Sequence, residues 1–310
     1  MPELLVGKRL ALQNILFLTD FSGPSEAALP FAVALAKAYG AKLYAMHAIV
    51  PDATVYMSAE MQSMLIEAAE ESAKARMQRL DSQLKSLPHQ TVLKHGIGVW
   101  ESLAETLEEN NIDLIVAGTH GRTGALKCLL GSVAEEIFRR APVPVITIGP
   151  AVRSGKQKPR IEKVLFATDF SPESLNAAAY AFSLARETHA ELSLVHVVRD
   201  VGNPRHRLSV AEAFHRLMEI VPEDAELPSR PEPVVEHGEV AERILEAAKR
   251  RGADLIVLGL RETGHVLATT HLEVSTAHKV VARANCPVLT VRSGQGASER
   301  LERPSEGLNV

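Results

Sequence analysis

This chain states most of its pattern twice. Asn14-Ile15-Leu16-Phe17-Leu18-Thr19-Asp20-Phe21-Ser22 returns as Lys163-Val164-Leu165-Phe166-Ala167-Thr168-Asp169-Phe170-Ser171, with Asp20 and Asp169 149 positions apart. The same spacing carries His47 onto His196. His95-Gly96 is matched by His237-Gly238, Asp113–Gly118 by Asp254–Gly259, and Ala141–Thr147 by Ala284–Thr290. Blocks repeated in one order mark a duplication. The 310 residues accommodate two domains of about 150 residues each. The expected boundaries are 1–150 and 160–293. A Pro-, Ser-, Gly- and Lys-rich linker joins them, and a tail without apolar periodicity over 294–310 is expected to be disordered.

Within each copy, short apolar runs alternate with helical patterns. The runs 14–19, 42–49, 91–94, 113–118 and 143–148 are too short for helices and rich in aliphatic residues, as strands buried on both faces require. Helices are predicted over 25–39, stopping at Gly40, and over 101–110 and 132–140. A long helix is predicted over 58–86, with Met57, Met61, Met64, Leu65, Ala68, Met77, Leu80 and Leu84 as its apolar stripe. The proline-rich segment 200–233 predicts a shorter helix plus extended loop. Strand–helix alternation implies right-handed crossovers and two tandem doubly wound α/β domains.

Composition removes several functions. A formal net charge of −4 gives no basic excess for nucleic acid, and 4% aromatic residues leave little for base stacking. No long apolar run suits a membrane span. Cys128 and Cys286 lie in different copies and are expected to be reduced thiols of a cytoplasmic protein; no secretory leader pattern opens the chain.

The chemistry concentrates after the fourth strand of the first copy, where Gly118-Thr119-His120-Gly121 is followed at a distance by Gly131-Ser132. Glycines let backbone approach a ligand, and N–H groups at a helix start can surround phosphate oxygens. Ser132 and Glu135 also have the spacing of a capping box, so Ser132 could simply cap its helix.

The Gly-x2-Gly-x9-Gly-Ser spacing, with Thr19-Asp20 at the end of strand 1, resembles the ATP-binding branch of the universal stress protein family. The resemblance covers essentially the whole chain as two family domains. It implies, in each, a five-stranded parallel sheet of order 3-2-1-4-5, a Rossmann-like, adenine nucleotide alpha hydrolase-like fold. It also implies ATP, with or without Mg²⁺, over the C-terminal strand ends. By position, Thr19 and Asp20 would hold the ribose or adenine side. Ala48 would offer backbone groups to adenine. Ala117 and Gly118 would line the ribose and phosphates. Gly121, Gly131, Ser132 and Val133 would hold the phosphates through N–H groups and the Ser132 hydroxyl. Arg122, Lys127 and His120 lie in the same loop; solvated loop charges describe the two cations equally well. Family members dimerise through their last strands, so 143–148 and 287–292 are expected to pair as an intrachain pseudo-dimer, and a homodimer is compatible with that.

The second copy departs. Gly259 and Ser275 remain, but the loop between them is two residues longer than in the first copy, Glu262 or Thr263 stands for Gly121, and Val274 replaces Gly131. A carboxylate near phosphate repels it, so the second copy is expected to be structural and Asp169 a strand-end residue. His47 and His196 are expected to be buried, hydrogen-bonded structural groups. His265 and His271 show no metal-ligand spacing. No P-loop, nucleotide-binding Gly-x-Gly-x-x-Gly or nucleophile elbow is present. The expected function is a cytoplasmic, adenine-nucleotide-binding stress-response module with no catalytic residues and no metal site. A slow ATPase or nucleotidyl-transferring enzyme using the same cradle, and a ligand-free interaction protein, stay open.

Overall fold

The structure is a computed structural model that describes residues 11–50, 59–119, 130–152, 160–199, 208–223, 225–260 and 276–292. The first copy contains β1 (Asn14–Leu18), α1 (Gly23–Tyr39), β2 (Lys42–Ile49), α2 (Ala59–Leu84), β3 (His89–His95), α3 (Val99–Glu109), β4 (Leu114–Gly118), α4 (Ser132–Arg140) and β5 (Val145–Ile148). The second contains β6 (Lys163–Ala167), α5 (Pro172–Thr188), β7 (Glu191–Val198), α6 (Val210–Glu219), β8 (Glu232–His237), α7 (Val240–Arg251), β9 (Leu255–Leu260), α8 (Thr276–Arg283) and β10 (Val288–Arg292). Residues 294–310 and most of the linker lie outside the described residues. Among the described residues no helix is long and apolar enough to cross a membrane.

Among the described residues the ten strands form one sheet in the order β3-β2-β1-β4-β5-β10-β9-β6-β7-β8. Each half is parallel in the expected 3-2-1-4-5 order, and the halves join through antiparallel pairing of β5 with β10. Ile146 faces Leu289 at the centre of this seam, flanked by Val145 opposite Thr290 and Thr147 opposite Val288. The Thr147 hydroxyl donates to the Val288 carbonyl at 3.2 Å, and the Thr290 hydroxyl to the Val145 carbonyl at 3.3 Å.

One buried cluster runs across the seam. It takes Ile15, Phe17, Leu114 and Ile146 from the first half and Phe166, Val257, Leu289 and Val291 from the second, under α1, α2 and α5. On the other sheet face there are two cores, one under α3 and α4 and one under α7 and α8, the latter also packed by Leu130 and Phe138 of the first half. Strand ends are fixed by matched carboxylates. Asp113 Oδ2 accepts from the N–H groups of Gln13 and Asn14 at 2.8 and 2.9 Å, and Asp254 Oδ2 from Glu162 and Lys163 at 2.9 and 3.0 Å.

Gly40 ends α1 with φ 64°, a left-handed conformation that glycine adopts without steric cost. The predicted stripe on α2 is only half right. Met77, Leu80 and Leu84 are buried, whereas Met61, Met64 and Leu65 are 54%, 70% and 53% exposed, and Ala68 is exposed too. The sheet is wide enough to cover only the C-terminal half of this helix. Met57 lies outside the described residues.

Candidate functional site

Beyond β1 the chain bends sharply over the C-terminal ends of the strands. The Thr19 N–H donates to the Met46 carbonyl at 2.9 Å. Thr19 Oγ1 accepts from the Phe21 N–H at 3.0 Å and shares a hydrogen bond with Ser25 Oγ. Asp20 Oδ1 accepts from the Ser22 N–H at 2.9 Å and from Ser22 Oγ at 2.5 Å. Partial burial pushes the Asp20 carboxyl upward, but donation from Ser22 and Ser25 outweighs it and holds the group below its ordinary range. The turn forces Phe21 to φ 59°, and Phe170 sits at φ 61° in the second copy. Such angles are rare for bulky residues. The Phe21 ring packs on His47, 4.7 Å between centroids, and the Arg76 guanidinium of α2 lies over the same ring at 5.5 Å from its centroid. Phe170, His196 and Arg216 of α6 repeat the stack.

The second wall begins where β4 ends. The Thr119 N–H donates to the Ile148 carbonyl at 2.9 Å, and the Gly131 N–H donates to the Thr119 carbonyl at 2.8 Å. The loop therefore leaves and re-enters at one point, and α4 starts there. Gly131 is its N-cap in extended conformation, with φ −63°. The first intrahelical bond runs from the Glu135 N–H to the Gly131 carbonyl. The N–H groups of Ser132, Val133 and Ala134 precede it and have no partner within the helix.

These geometries change two expectations. The capping box does not form: Gly131, not Ser132, is the cap, and the Glu135 carboxylate binds Arg139 and His278 instead. The Gly131 N–H is committed to Thr119 and is not available to a ligand.

Thr19, Asp20, Ala48, Ala117, Gly118, Gly131, Ser132 and Val133 line one cleft. Gly121, with His120, Arg122 and Lys127, lies outside the described residues. Sequence reasoning missed the apolar wall made by Met46, Val99 and Ile137. Its signal was the alternation along β2, which sends Tyr44, Met46 and Ala48 to one sheet face and Leu43 and Ala45 to the other.

Gly118 answers to packing. A Cβ there would meet the Pro24 carbonyl carbon at 2.9 Å and the Ser25 nitrogen at 3.0 Å, because the start of α1 rests on it. Gly259 is tighter, with the Ser174 Cα 2.4 Å from the same hypothetical atom. That packing requires glycine at 259 even though the second copy lacks the counterparts of Gly121 and Gly131.

The second copy keeps an equivalent cleft, lined by Thr168, Asp169, Arg199, Leu258 and Gly259 among others. The two enclose similar volumes, about 140 and 120 Å³, but differ in the side chains that line them. Val197 and Leu258 stand where the first copy has Ala48 and Ala117, and Arg199 enters from the end of β7. Glu262, Val274, Ser275, His265 and His271 lie outside the described residues. His47 and His196 are buried, and each binds a strand-1 carbonyl, Thr19 at 2.7 Å and Thr168 at 2.9 Å. Cys286 is buried and unpaired in a disulfide; Cys128 lies outside the described residues. Among the described residues no group of three His, Cys, Asp or Glu side chains is placed to hold a metal.

A sequence profile of the universal stress protein family matches residues 11–149 and again 160–292. A universal stress protein of Mycolicibacterium smegmatis is 28% identical over 298 residues, covering 90% of this chain and 97% of that one. Universal stress protein YxiE of Bacillus subtilis is 35% identical over 147 residues, 42% of this chain and 98% of that protein. Among solved structures, a universal stress protein from Archaeoglobus fulgidus superimposes with a TM-score of 0.68 at 21% identity, over 91% of this chain and 98% of that one.

Proposed function

The chain belongs to the universal stress protein family as two fused copies of its domain, and from that premise we propose that the first copy binds one adenine nucleotide while the second serves as scaffold. The observation that carries this reading is the convergence of three unlike surfaces on one cleft. Asp20 supplies an ionised acceptor for ribose hydroxyls. The end of β2 at Ala48 supplies main-chain groups beside an apolar wall wide enough for a base. The first turn of α4 supplies the N–H groups of Ser132, Val133 and Ala134 and the Ser132 hydroxyl for phosphate oxygens. Gly131 contributes by lacking a side chain at this entrance, not by donating. ATP is the proposed ligand, with Mg²⁺ accompanying its phosphates, and the protein acts as a cytoplasmic stress-response module read by its nucleotide occupancy.

In the second copy Leu258 and Val197 fill base-side space that Ala117 and Ala48 leave open. The test is direct. Purified protein is heat-denatured and the supernatant analysed for nucleotide, and stripped protein is titrated with ATP by calorimetry in Mg²⁺ and in EDTA. One site per chain, weakened at least tenfold by Ser132→Ala combined with Asp20→Ala, is expected (about 1.4 kcal/mol). No binding, or two equal sites per chain, refutes the reading.

A further inference from the structure

The seam between the halves is symmetric in its backbone and asymmetric in its side chains. From α4 through β5 the first half maps onto α8 through β10 of the second with one constant spacing of 143 residues, Ile146 falling on Leu289. Those two residues face each other, so a pseudo-twofold axis passes between them. Residues related by this axis are opposite numbers. In a dimer of identical domains they would be identical.

Here they are complementary. Glu135 and His278 are opposite numbers, and they touch: His278 Nε2 lies 2.8 Å from Glu135 Oε2. The other carboxylate oxygen accepts from Arg139 Nε at 2.8 Å. Phe138 has Val281 as its opposite number; its ring meets the His278 ring edge-on at 6.0 Å and packs into the second half's core. Gly149 has Arg292, whose guanidinium donates to the Phe138 carbonyl at 2.7 Å.

We propose that this seam recognises the unlike half and rejects the like half, so that the second copy is a dedicated partner of the first. Pairing two first halves sets Glu135 against Glu135, two carboxylates where one imidazole now donates, and supplies no arginine to the Phe138 carbonyl. Pairing two second halves sets His278 against His278 with neither a carboxylate nor the Phe138 ring to meet. Specificity of this kind rests on the cost of the wrong pair as much as on the right one. The partner that fits is the other half of the same chain. The contact also lies in the first turn of α4, beside Ser132, so the second half fixes the helix that lines the candidate nucleotide cleft. The seam argument does not depend on a nucleotide being bound.

The test uses the intact chain and a charge swap. His278→Glu recreates the carboxylate pair of a like–like seam, and Glu135→His recreates the imidazole pair. Each is expected to lower Tm by at least ~2 °C. The double variant restores an unlike pair in reversed order and is expected to recover more than half of the summed loss. His278→Gln keeps a donor toward Glu135 and is expected to lose less than His278→Glu. Single variants with unchanged Tm, or a double variant no better than the sum of the singles, overturn the proposal. A second measurement reads recognition itself. A protease site is placed in the linker, the folded chain is cut, and the halves are examined by native mass spectrometry after mixing and incubation. Only the unlike pair is expected; like–like pairs in statistical proportion overturn it.

Discussion

His47 Nδ1 lies 2.7 Å from the carbonyl oxygen of Thr19. A carbonyl only accepts, so the Nδ1–H of His47 is the donor, which fixes the tautomer. This bond ties β2 to the end of β1 that presents Asp20, and the Phe21 ring on His47 packs against the turn in its left-handed conformation. His47→Ala is expected to cost ~2–4 kcal/mol, from the cavity and the orphaned carbonyl, and to weaken nucleotide binding. His196→Ala is expected to cost a similar amount and leave nucleotide affinity unchanged. Thermal unfolding and calorimetric titration of both variants check the pair.

The loop glycines separate by role. Gly118→Ala and Gly259→Ala push a methyl into the helix backbone resting on each, at a cost of ~1–3 kcal/mol, with Gly259→Ala the worse. Gly131→Ala fits the existing φ of −63° and is expected to change stability by less than ~1 kcal/mol. Urea midpoints of the three variants give the ranking.

Two groups make stability depend on pH in the same direction. The Asp20 carboxyl is held low when folded, so its contribution is complete above the unfolded value near ~3.9 and is lost as pH falls through the lower folded one. Burial pushes the His196 imidazole down, against smaller upward pulls from the Thr168 carbonyl and Asp169. The folded chain therefore prefers it neutral, and stability is complete above about pH 6.5 and declines below it. The difference in urea midpoint between wild type and His196→Gln should shrink between pH 7 and pH 5, and that for Asp20→Asn should shrink below pH 4. A constant difference across either window contradicts the assignment.

Cys286 should be chemically silent in the folded state. Burial first, and then the nearby Asp254 carboxylate, push its thiol up to about 12, and the thiolate is the reactive form. Alkylation at pH 8 followed by peptide mass spectrometry is expected to leave Cys286 unmodified until denaturant is added.

The strands and the duplication were legible because hydrophobic runs and their repetition are properties of the sequence itself; the strand order came only with the family resemblance. The runs at 42–49 and 132–140 match β2 and α4 residue for residue. Three things were not legible. The stripe on α2 could not reveal that its first turns, at Met61 and Met64, extend past the sheet, since periodicity gives the face of a helix but not the length of its support. The Ser132–Glu135 spacing suits a capping box, yet the cap moved to Gly131 because Glu135 found Arg139 and a residue of the other half, His278. The glycine at 118 reads as ligand approach in a loop motif, whereas its neighbours in space are Pro24 and Ser25, about a hundred residues away.

Joining β5 to β10 leaves the chain with two outermost strands, β3 and β8, among those described, where separate domains would present four. Both are poor templates for a further strand. Lys94 on β3 is held by Glu105 and Glu109 at 2.8 and 3.0 Å, and Pro233 on β8 removes a main-chain donor. Fusion thus acts as protection against aggregation: the most adhesive strands are spent on each other, and those left facing solvent carry the charge and the proline that discourage lateral growth.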